Sequence, residues 1–277
     1  MQKLCLLLIT ATLVVACATS PTGRRQLMLV SPEAAIVQSR TAYLNTVSEL
    51  GEADKLADDP RLASRVATIT GRVVSAAIER YPHTADWNWS VALVDDDETV
   101  NAWCMAGGRM AVYTGLFEKL KLTDAEFAQI MGHEIAHALA NHTAERMSRA
   151  MATTLGVVAV GSASDNPNLA MGGAALAAKL ALELPNSRTA ESEADEIGLQ
   201  LATLAGFDPD AAVSLWEKMG SVGGDQRPPE FLSTHPAPEN RQQRLLNMIP
   251  QARQLNPRGQ PTPVHPVDIV SASNPAR

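Results

Sequence analysis

The stretch GHEIAHALANH at residues 132–142 constrains the fold of this chain more than any other part of the sequence. It places His133 and His137 four residues apart, with Glu134 directly after the first histidine. On a helix, two imidazoles at this spacing lie on one face, one turn above the other. They can hold one Zn²⁺ per chain, and Glu134 lies where it can act as a general base toward a water molecule.

His142 does not fit as the third ligand of this site. A capping box at residues 123–126 predicts a helix that begins there, carries the stretch and runs to about Ala150. On such a helix His142 lies about 140° around the axis from the ligand face. We therefore expect His142 near the surface and a third ligand from another element.

Glu191 is the predicted third ligand. Among the nearby glutamates it alone has an aspartate four residues later on the same helix face, namely Asp195. Asp195 could accept a hydrogen bond from a ligand histidine and fix its tautomer. Glu193 would point about 200° away from Glu191, toward solvent. Two histidines and a glutamate leave one coordination position for water, which predicts metal-assisted amide hydrolysis; the alternative is an ordinary solvated acidic helix face.

The rest of the chain predicts a mainly α (α+β) protein. Cap signals and helical spacing of apolar residues predict further helices over 31–48, 60–80, 187–205, 208–220 and 238–248. Runs rich in β formers predict strands over 87–94, 100–105 and 109–114, the last two joined as a hairpin around Gly107 and Gly108. We expect one domain over residues 31–249.

The start of the chain predicts a lipoprotein. Residues 1–16 combine a single lysine with a short apolar run, as in a signal peptide. Val14 to Cys17 resembles a lipobox, so Cys17 would carry the lipid and residues 17–30 would form a polar tether. Ala18, in place of the aspartate of inner-membrane lipoproteins, points to the outer membrane and its periplasmic side. A plain signal peptide with a chance cysteine is the alternative.

Two further segments and the net charge complete the prediction. Residues 151–182 hold two apolar arms, each too short to span a bilayer, which predicts a buried or lid-forming helical hairpin or one that dips into the membrane. Residues 250–277 hold six prolines and no hydrophobic periodicity, so we expect a disordered tail that can be removed without loss of activity. The net charge of -7 gives no support to nucleic-acid binding.

Four motifs resemble those of the gluzincin zinc metallopeptidases that include HtpX, BepA and LoiP, with the Ste-type CAAX prenyl protease and the mitochondrial Oma protease as relatives. They are HExxH, SRxxExxAD at residues 187–195, the segment 101–108, and the late His-Pro motif at His235 followed by Arg241. The lipobox and residues 22–30 resemble the lipoprotein branch. The resemblance implies a zincin-like domain in which the HExxH helix packs against a small β-sheet or hairpin.

The resemblance also assigns roles that spacing alone does not. It implies that His235 approaches the metal, either as a fourth ligand in a resting state or as a stabiliser of the oxyanion, with Arg241 as a weaker candidate nearby. It implies that the strand ending at Gly107 and Gly108 is the edge to which a substrate peptide adds. Cys104 then reads as a packed strand residue rather than a nucleophile.

The predicted function is a periplasmic zinc-dependent metalloendopeptidase, anchored to the outer membrane by its lipid, that cleaves misfolded or unassembled envelope proteins. An envelope assembly machinery is a further candidate partner. The alternative is a largely non-catalytic chaperone or assembly factor for outer-membrane proteins, with the zinc site held closed by His235. A zinc-binding structural lipoprotein, a third class, would not need Glu134.

Overall fold

The computed structural model describes residues 17–163, 187–222, 230–236 and 240–274. By their contacts these residues belong to two compact units. The smaller unit takes its residues from Met1–Ala35 and Ala140–Leu184, and the larger unit from Ile36–Leu139 and Pro185–Arg277. The predicted signal peptide and most of the predicted hairpin at 151–182 lie outside the described residues. No helix in the described ranges combines the length and the apolar character needed to cross a membrane.

The described residues are mainly helical, which confirms the predicted fold class. The helices are α1 Pro32–Glu52, α2 Pro60–Arg80, α3 Gly115–Leu120, α4 Asp124–Leu139, α5 His142–Ala163, α6 Arg188–Leu204, α7 Ala211–Val222, α8 Glu230–Thr234 and α9 Arg241–Leu255, with a 3₁₀ turn at Pro82–Thr84. The strands are β1 Cys17–Thr19, β2 Arg25–Leu27, β3 Ser90–Val94, β4 Ala102–Met105, β5 Arg109–Tyr113 and β6 Asp268–Val270.

The larger unit holds a four-stranded sheet in the order β4-β5-β3-β6. β4 and β5 form the predicted antiparallel hairpin, while β3 pairs in parallel with β5 and β6. Gly107 and Gly108 make the hairpin turn at φ +86° and +81°, in the region that favours glycine. A side chain on Gly108 would also collide with the Trp89 ring. Within the described residues β4 is one edge of this sheet.

The C-terminal segment is ordered against the larger unit, so the prediction of a disordered tail over 250–277 is wrong for its described residues. Helix α9 continues to Leu255, and β6 pairs with the buried strand β3. Between them, the His265 backbone N–H donates to the Gly71 carbonyl at 3.1 Å. This approach requires glycine at position 71, because a Cβ there would lie 2.4 Å from the His265 carbonyl oxygen. The expectation that residues 250–277 can be removed without consequence therefore loses its basis.

The predicted helix from residue 123 to about Ala150 is in fact two helices. Helix α4 ends at Leu139, and α5 begins at His142. Asn141 between them adopts φ +55°, a left-handed conformation that asparagine tolerates and that stops a helix. His142 is buried rather than near the surface, because it opens α5 instead of extending α4.

The smaller unit orders the segment that was predicted to be a polar tether over 17–30. Strands β1 and β2 pair antiparallel, with Cys17 opposite Leu27. Arg24 donates to both carboxylate oxygens of Glu145 in α5, at 2.9 and 2.6 Å. Gln26 is buried and donates to Glu145 at 3.0 Å. A buried carboxylate with this many charged and amide donors pins the segment to α5.

Candidate metal centre

Helices α4 and α6 carry the predicted ligands and approach each other backbone to backbone in the larger unit. A Cβ on Gly132 would lie 2.6 Å from the Gly198 carbonyl oxygen, and a Cβ on Gly198 would lie 2.7 Å from the His133 nitrogen. Only glycine at both positions permits this approach. The close crossing places the histidines of α4 beside the acidic face of α6, whose N-terminus is capped by the Ser187 hydroxyl.

Four buried side chains converge at this crossing: His133, His137, Glu191 and His235, whose donor atoms all lie within 4.8 Å of one another. The Nε2 atoms of His133 and His137 are 3.1 Å apart. Glu191 brings Oε2 to 3.3 Å from His133 Nε2 and Oε1 to 3.4 Å from His137 Nε2. The structure thus brings together the three residues predicted as ligands and adds His235 to the same cluster, while His142 is not a member.

Asp195 and Arg241 form a second layer behind these side chains. His133 Nδ1–H donates to Asp195 Oδ1 at 3.1 Å, so that in the neutral ring, the form that binds a metal, the Nε2 lone pair is directed toward the cluster. Arg241 donates from Nε to Asp195 Oδ2 at 2.7 Å and from Nη2 to Asp195 Oδ1 at 2.8 Å. The same Nη2 lies 3.1 Å from Glu191 Oε2. Arg241, the weaker candidate for this neighbourhood, therefore contacts both acidic side chains.

The donor set fits a zinc ion. Glu191 Oε1 and Glu134 Oε1 are buried with no hydrogen-bond partner in the part of the chain that the structure describes, which is costly unless something else binds them. Glu134, Glu191 and Asp195 carry three negative charges when ionised, and Arg241 supplies one positive charge, so a dication would make this set neutral. Two or three imidazole nitrogens with one carboxylate oxygen are typical zinc ligands.

The pKa of His133 reflects the excess of negative charge around it. Burial alone would lower this pKa, but the hydrogen bonds and negative charges of Asp195 and Glu191 outweigh burial and raise it to about 9. The carboxyls themselves have lowered pKa values, because the same partners and Arg241 overcome their burial. The electrostatic field at the cluster therefore attracts cations.

Glu134 lies beside the cluster and beside the edge strand. Its side chain is 2% exposed, and burial raises its pKa to about 8 against the opposing positive charge of His133. The backbone N–H of Cys104 in β4 donates to this carboxylate. Cys104 itself is buried, and burial raises the pKa of its thiol well above the usual range, so it is not poised as a nucleophile. Gly107 and Gly108 close the hairpin at the end of the same strand.

His235 reaches the cluster from the end of the short helix α8. Its ring stacks on Phe231 with centroids 4.4 Å apart, and its Nδ1 lies 3.1 Å from the Phe231 carbonyl oxygen. A carbonyl oxygen only accepts, so Nδ1 carries the hydrogen, and Nε2 has the lone pair 3.5 Å from Glu134 Oε1. Burial, followed by the charge on His133, lowers the pKa of His235 to about 4, so the ring is neutral.

Helix α8 is also attached to the start of the edge strand. The Phe231 backbone N–H donates to the Val100 carbonyl at 3.1 Å, and Asn101 Nδ2 donates to Glu230 Oε1 at 3.1 Å. These bonds hold the helix that presents His235 at one end of β4.

Sequence reasoning missed two features of the site and, besides His142, misplaced Glu193. Gly198, which permits the helix crossing, could have been found only as a glycine inside a predicted helix. Trp216, whose ring lies 3.5 Å from Arg241 Cζ, follows an ordinary apolar spacing and gave no signal. Glu193 was predicted to face solvent but is buried.

Comparison with known proteins gives the same picture. The profile of peptidase family M48 matches residues 60–249. The mitochondrial metalloendopeptidase OMA1 of Bos taurus is 32% identical over 245 residues, 84% of this chain and 46% of that protein. The OMA1 metalloendopeptidase of Schizosaccharomyces pombe is 30% identical, over 83% of this chain and 66% of its own. The β-barrel assembly-enhancing protease of Escherichia coli K12 is 30% identical, over 76% of this chain and 43% of its own. The chain spans about half the length of such relatives.

Proposed function

The chain belongs to peptidase family M48, and from this premise we propose that it is a zinc-dependent metalloendopeptidase. The observation that carries the proposal is the convergence of His133, His137 and Glu191 with Glu134 beside them, all buried at the crossing of two helices. Resemblance to the bovine and E. coli relatives supports the same activity, since both are named as proteases.

His133, His137 and Glu191 would hold the zinc ion. When bound, zinc supplies a Lewis acid that polarises a carbonyl group and lowers the pKa of water. The protein prepares two of these ligands through Asp195, which fixes the His133 tautomer, and Arg241, which contacts both acidic side chains. Burial of all of them excludes bulk water, which strengthens each electrostatic contact.

Glu134 would act as the general base and then as the general acid. Its Oε1 has no hydrogen-bond partner, so it is available to take a proton from the attacking water. The same carboxyl can then return that proton to the leaving amide nitrogen. The Cys104 backbone N–H orients the carboxylate toward the edge strand.

A substrate peptide would add to β4 as a further strand. Backbone hydrogen bonds at an exposed edge bind extended chains with little dependence on their side chains. Because the Glu134 carboxylate is bonded to β4 at Cys104, a peptide paired with this strand would pass beside the general base. The geometry suits unfolded segments, which are free to adopt an extended conformation.

His235 favours one second candidate function. With its neutral ring and Nε2 lone pair in the cluster, it has the form of a fourth ligand rather than of a hydrogen-bond donor to an oxyanion. A site held in that state would be resting, as expected for a chaperone or assembly factor that binds clients in the same cleft. As an enzyme, the protein would need His235 to leave or exchange its partner during turnover.

We place the protein in the bacterial envelope, with misfolded or unassembled envelope proteins as substrates. Support comes from the lipobox ending at Cys17 and from the similarity to the β-barrel assembly-enhancing protease of E. coli. The lipid on Cys17 would hold the protein at the outer membrane on its periplasmic side, within reach of an assembly machinery there.

The test is cleavage of an unfolded protein by the purified chain from residue 17 onward, with Cys17 replaced by serine. Wild type should bind one zinc per chain and cleave casein, whereas Glu134→Gln should keep the zinc and lose activity by about 10²- to 10⁴-fold, because only the proton transfer is removed. Gel and mass-spectrometric detection of products, with zinc measured by emission spectrometry, gives both quantities.

His235→Ala separates the two candidate functions, with His83→Ala as an exposed-histidine control. An active peptidase held by His235 should show altered activity in His235→Ala and unchanged activity in the control. Absence of cleavage by wild type and by His235→Ala, together with retained binding of unfolded clients, would instead establish the chaperone function.

A further inference from the structure

Arg241 has a position that neither the ligand set nor the proton transfer explains. It is the first residue of α9, it is 4% exposed, and its guanidinium lies with Cζ 3.5 Å from the centre of the Trp216 ring. An arginine is buried only where strong partners compensate for the loss of water. Its hydrogen-bond partners are the carboxylates of Asp195 and Glu191.

We propose that Arg241 is the positioning residue of the metal centre: it fixes two of the three predicted ligands, His133 through Asp195 and Glu191 directly, and thereby sets zinc affinity and coordination number. The proposal rests on the proposed function only in taking zinc as the metal.

The first half of the proposal follows from the bonds of Asp195. Arg241 donates to both oxygens of this carboxylate, at 2.7 and 2.8 Å, in the two-pronged geometry that a guanidinium prefers. With its plane fixed, Asp195 Oδ1 can accept the His133 Nδ1–H at 3.1 Å from only one direction. Arg241 therefore sets the orientation of the His133 ring, and so of its Nε2 lone pair, through two successive hydrogen bonds.

The second half concerns which oxygen of Glu191 remains available. Arg241 Nη2 lies 3.1 Å from Glu191 Oε2, whereas no described residue forms a hydrogen bond with Glu191 Oε1. A carboxylate with one oxygen engaged by a guanidinium presents the other to a metal, which favours binding through a single oxygen. With three imidazoles, or with two imidazoles and a water molecule, this would give the four-coordinate set that zinc prefers. Loss of the guanidinium would free both oxygens and permit a larger coordination number.

The charge of Arg241 and the geometry of its guanidinium can be tested separately, because lysine keeps the positive charge and loses the planar geometry. A lysine at 241 would retain the positive charge, but a single ammonium cannot reproduce the planar fork to Asp195 together with the contact to Glu191 and the stacking on Trp216. Methionine of similar length removes both charge and fork. If Arg241 acts by position, lysine should fail nearly as methionine does.

The experiment measures zinc affinity by chelator competition, and the visible absorption of the Co²⁺-substituted protein, for Arg241→Lys and Arg241→Met. We expect both variants to bind zinc about 10- to 100-fold more weakly, the usual effect of removing an outer partner of a ligand. We also expect the Co²⁺ bands to lose intensity, because cobalt absorbs most strongly in tetrahedral sites and the intensity falls as coordination expands.

Arg24→Lys and Arg24→Met are the matched controls. Arg24 is another arginine with a two-pronged bond to a largely buried glutamate, Glu145, in the smaller unit. The zinc affinity and the Co²⁺ spectrum of these two control variants should equal those of wild type. If Arg241→Met does not fold, Asp195→Asn breaks the same connection with little change of volume and should produce the same two effects.

Three results would overturn the proposal. Wild-type affinity and spectrum in Arg241→Lys would assign the role to charge alone. Weaker zinc binding with an unchanged Co²⁺ spectrum would show that Arg241 does not set the coordination number, and unchanged affinity in all variants would show that it does not position the ligands. None of these depends on peptide cleavage, so they are distinct from a failure of the peptidase, which Glu134→Gln reports.

Discussion

Two clusters of buried carboxylates in this protein are compensated in opposite ways. In the smaller unit, Glu145 has hydrogen bonds on both oxygens, from Arg24, Gln26 and Arg149. In the larger unit, Asp195 and Glu191 share the guanidinium of Arg241, and Glu134 and Glu191 each keep a buried oxygen with no hydrogen-bond partner among the described residues. All these carboxylates are buried, so the difference lies in how many of their oxygens accept a hydrogen bond from the described residues.

The comparison teaches how a structural cluster differs from a binding one. A buried carboxylate whose two oxygens both accept hydrogen bonds from the protein needs no further ligand, and it holds two segments of chain together. A cluster with orphaned oxygens and an excess of negative charge is complete only with a cation, and the protein pays for that readiness in stability. Glu145 therefore belongs to the fold, and Glu191 belongs to the site.

The largest effect should come from exchanging each glutamate for its amide. Glu191→Gln removes the charge that a zinc ligand supplies, so zinc affinity should fall by more than about 100-fold. Glu145→Gln should leave zinc binding unchanged and lower the free energy of unfolding by roughly 3 kcal/mol, because Arg24 loses its partner. Chelator competition and urea unfolding measure the two quantities on both variants. Equal zinc loss in the two would remove the distinction between the clusters.

A smaller effect should follow from separating the helices that bring the site together. Gly198→Ala places a methyl group within 2.7 to 2.8 Å of backbone atoms of Gly132 and His133, which forces α4 and α6 apart. We expect a loss of about 1–3 kcal/mol in stability, with weaker zinc binding because Glu191 and the histidines lie on different helices.

Gly220→Ala is the matched control for that variant. Gly220 lies in α7 of the same unit, and a Cβ there would meet no atom of the described residues within 4 Å. Since alanine is the better helix former, this variant should be as stable as wild type or gain up to about 1 kcal/mol, with zinc affinity unchanged. A Gly198→Ala protein that binds zinc like the control would show that the close crossing does not position the ligands.

The same contrast explains which parts were predictable from sequence. Ligands on one helix follow from spacing, because the α-helix converts four residues into one turn, and Glu191 followed because Asp195 lies one turn later. The break at Asn141 escaped prediction, since one left-handed residue between two helical patterns leaves no trace in hydrophobic spacing. Contacts between distant segments escaped for another reason: Arg241 lies 46 residues from Asp195, and spacing carries no information at that range.

The C-terminal segment shows the same limit in the fold. Six prolines and no periodicity are typical of disorder, yet an extended chain without periodicity can also lie against a surface and donate its backbone hydrogen bonds there. Here the three-residue strand β6 completes the sheet beside β3, and the preceding residues pack on Gly71 of α2. The partner that orders the segment lies almost 200 residues earlier.

The smallest effect concerns pH and sharpens the comparison from the structural side. Burial would raise the pKa of Glu145, but the hydrogen bonds and charges of Arg24, Gln26 and Arg149 outweigh it and hold the pKa below the usual 4.5. A group with a lowered folded-state pKa contributes stability that is fully present above the unfolded value and is lost as pH falls through the folded value.

In urea unfolding between pH 7 and 3, wild type should therefore lose more stability on acidification than Arg24→Met, in which the pKa of Glu145 is lowered less. Arg25→Met, at the exposed neighbouring position, should follow wild type. Parallel curves for wild type and Arg24→Met would mean that Arg24 does not hold Glu145 in its ionised form. The two clusters would then differ only in whether they can bind a metal.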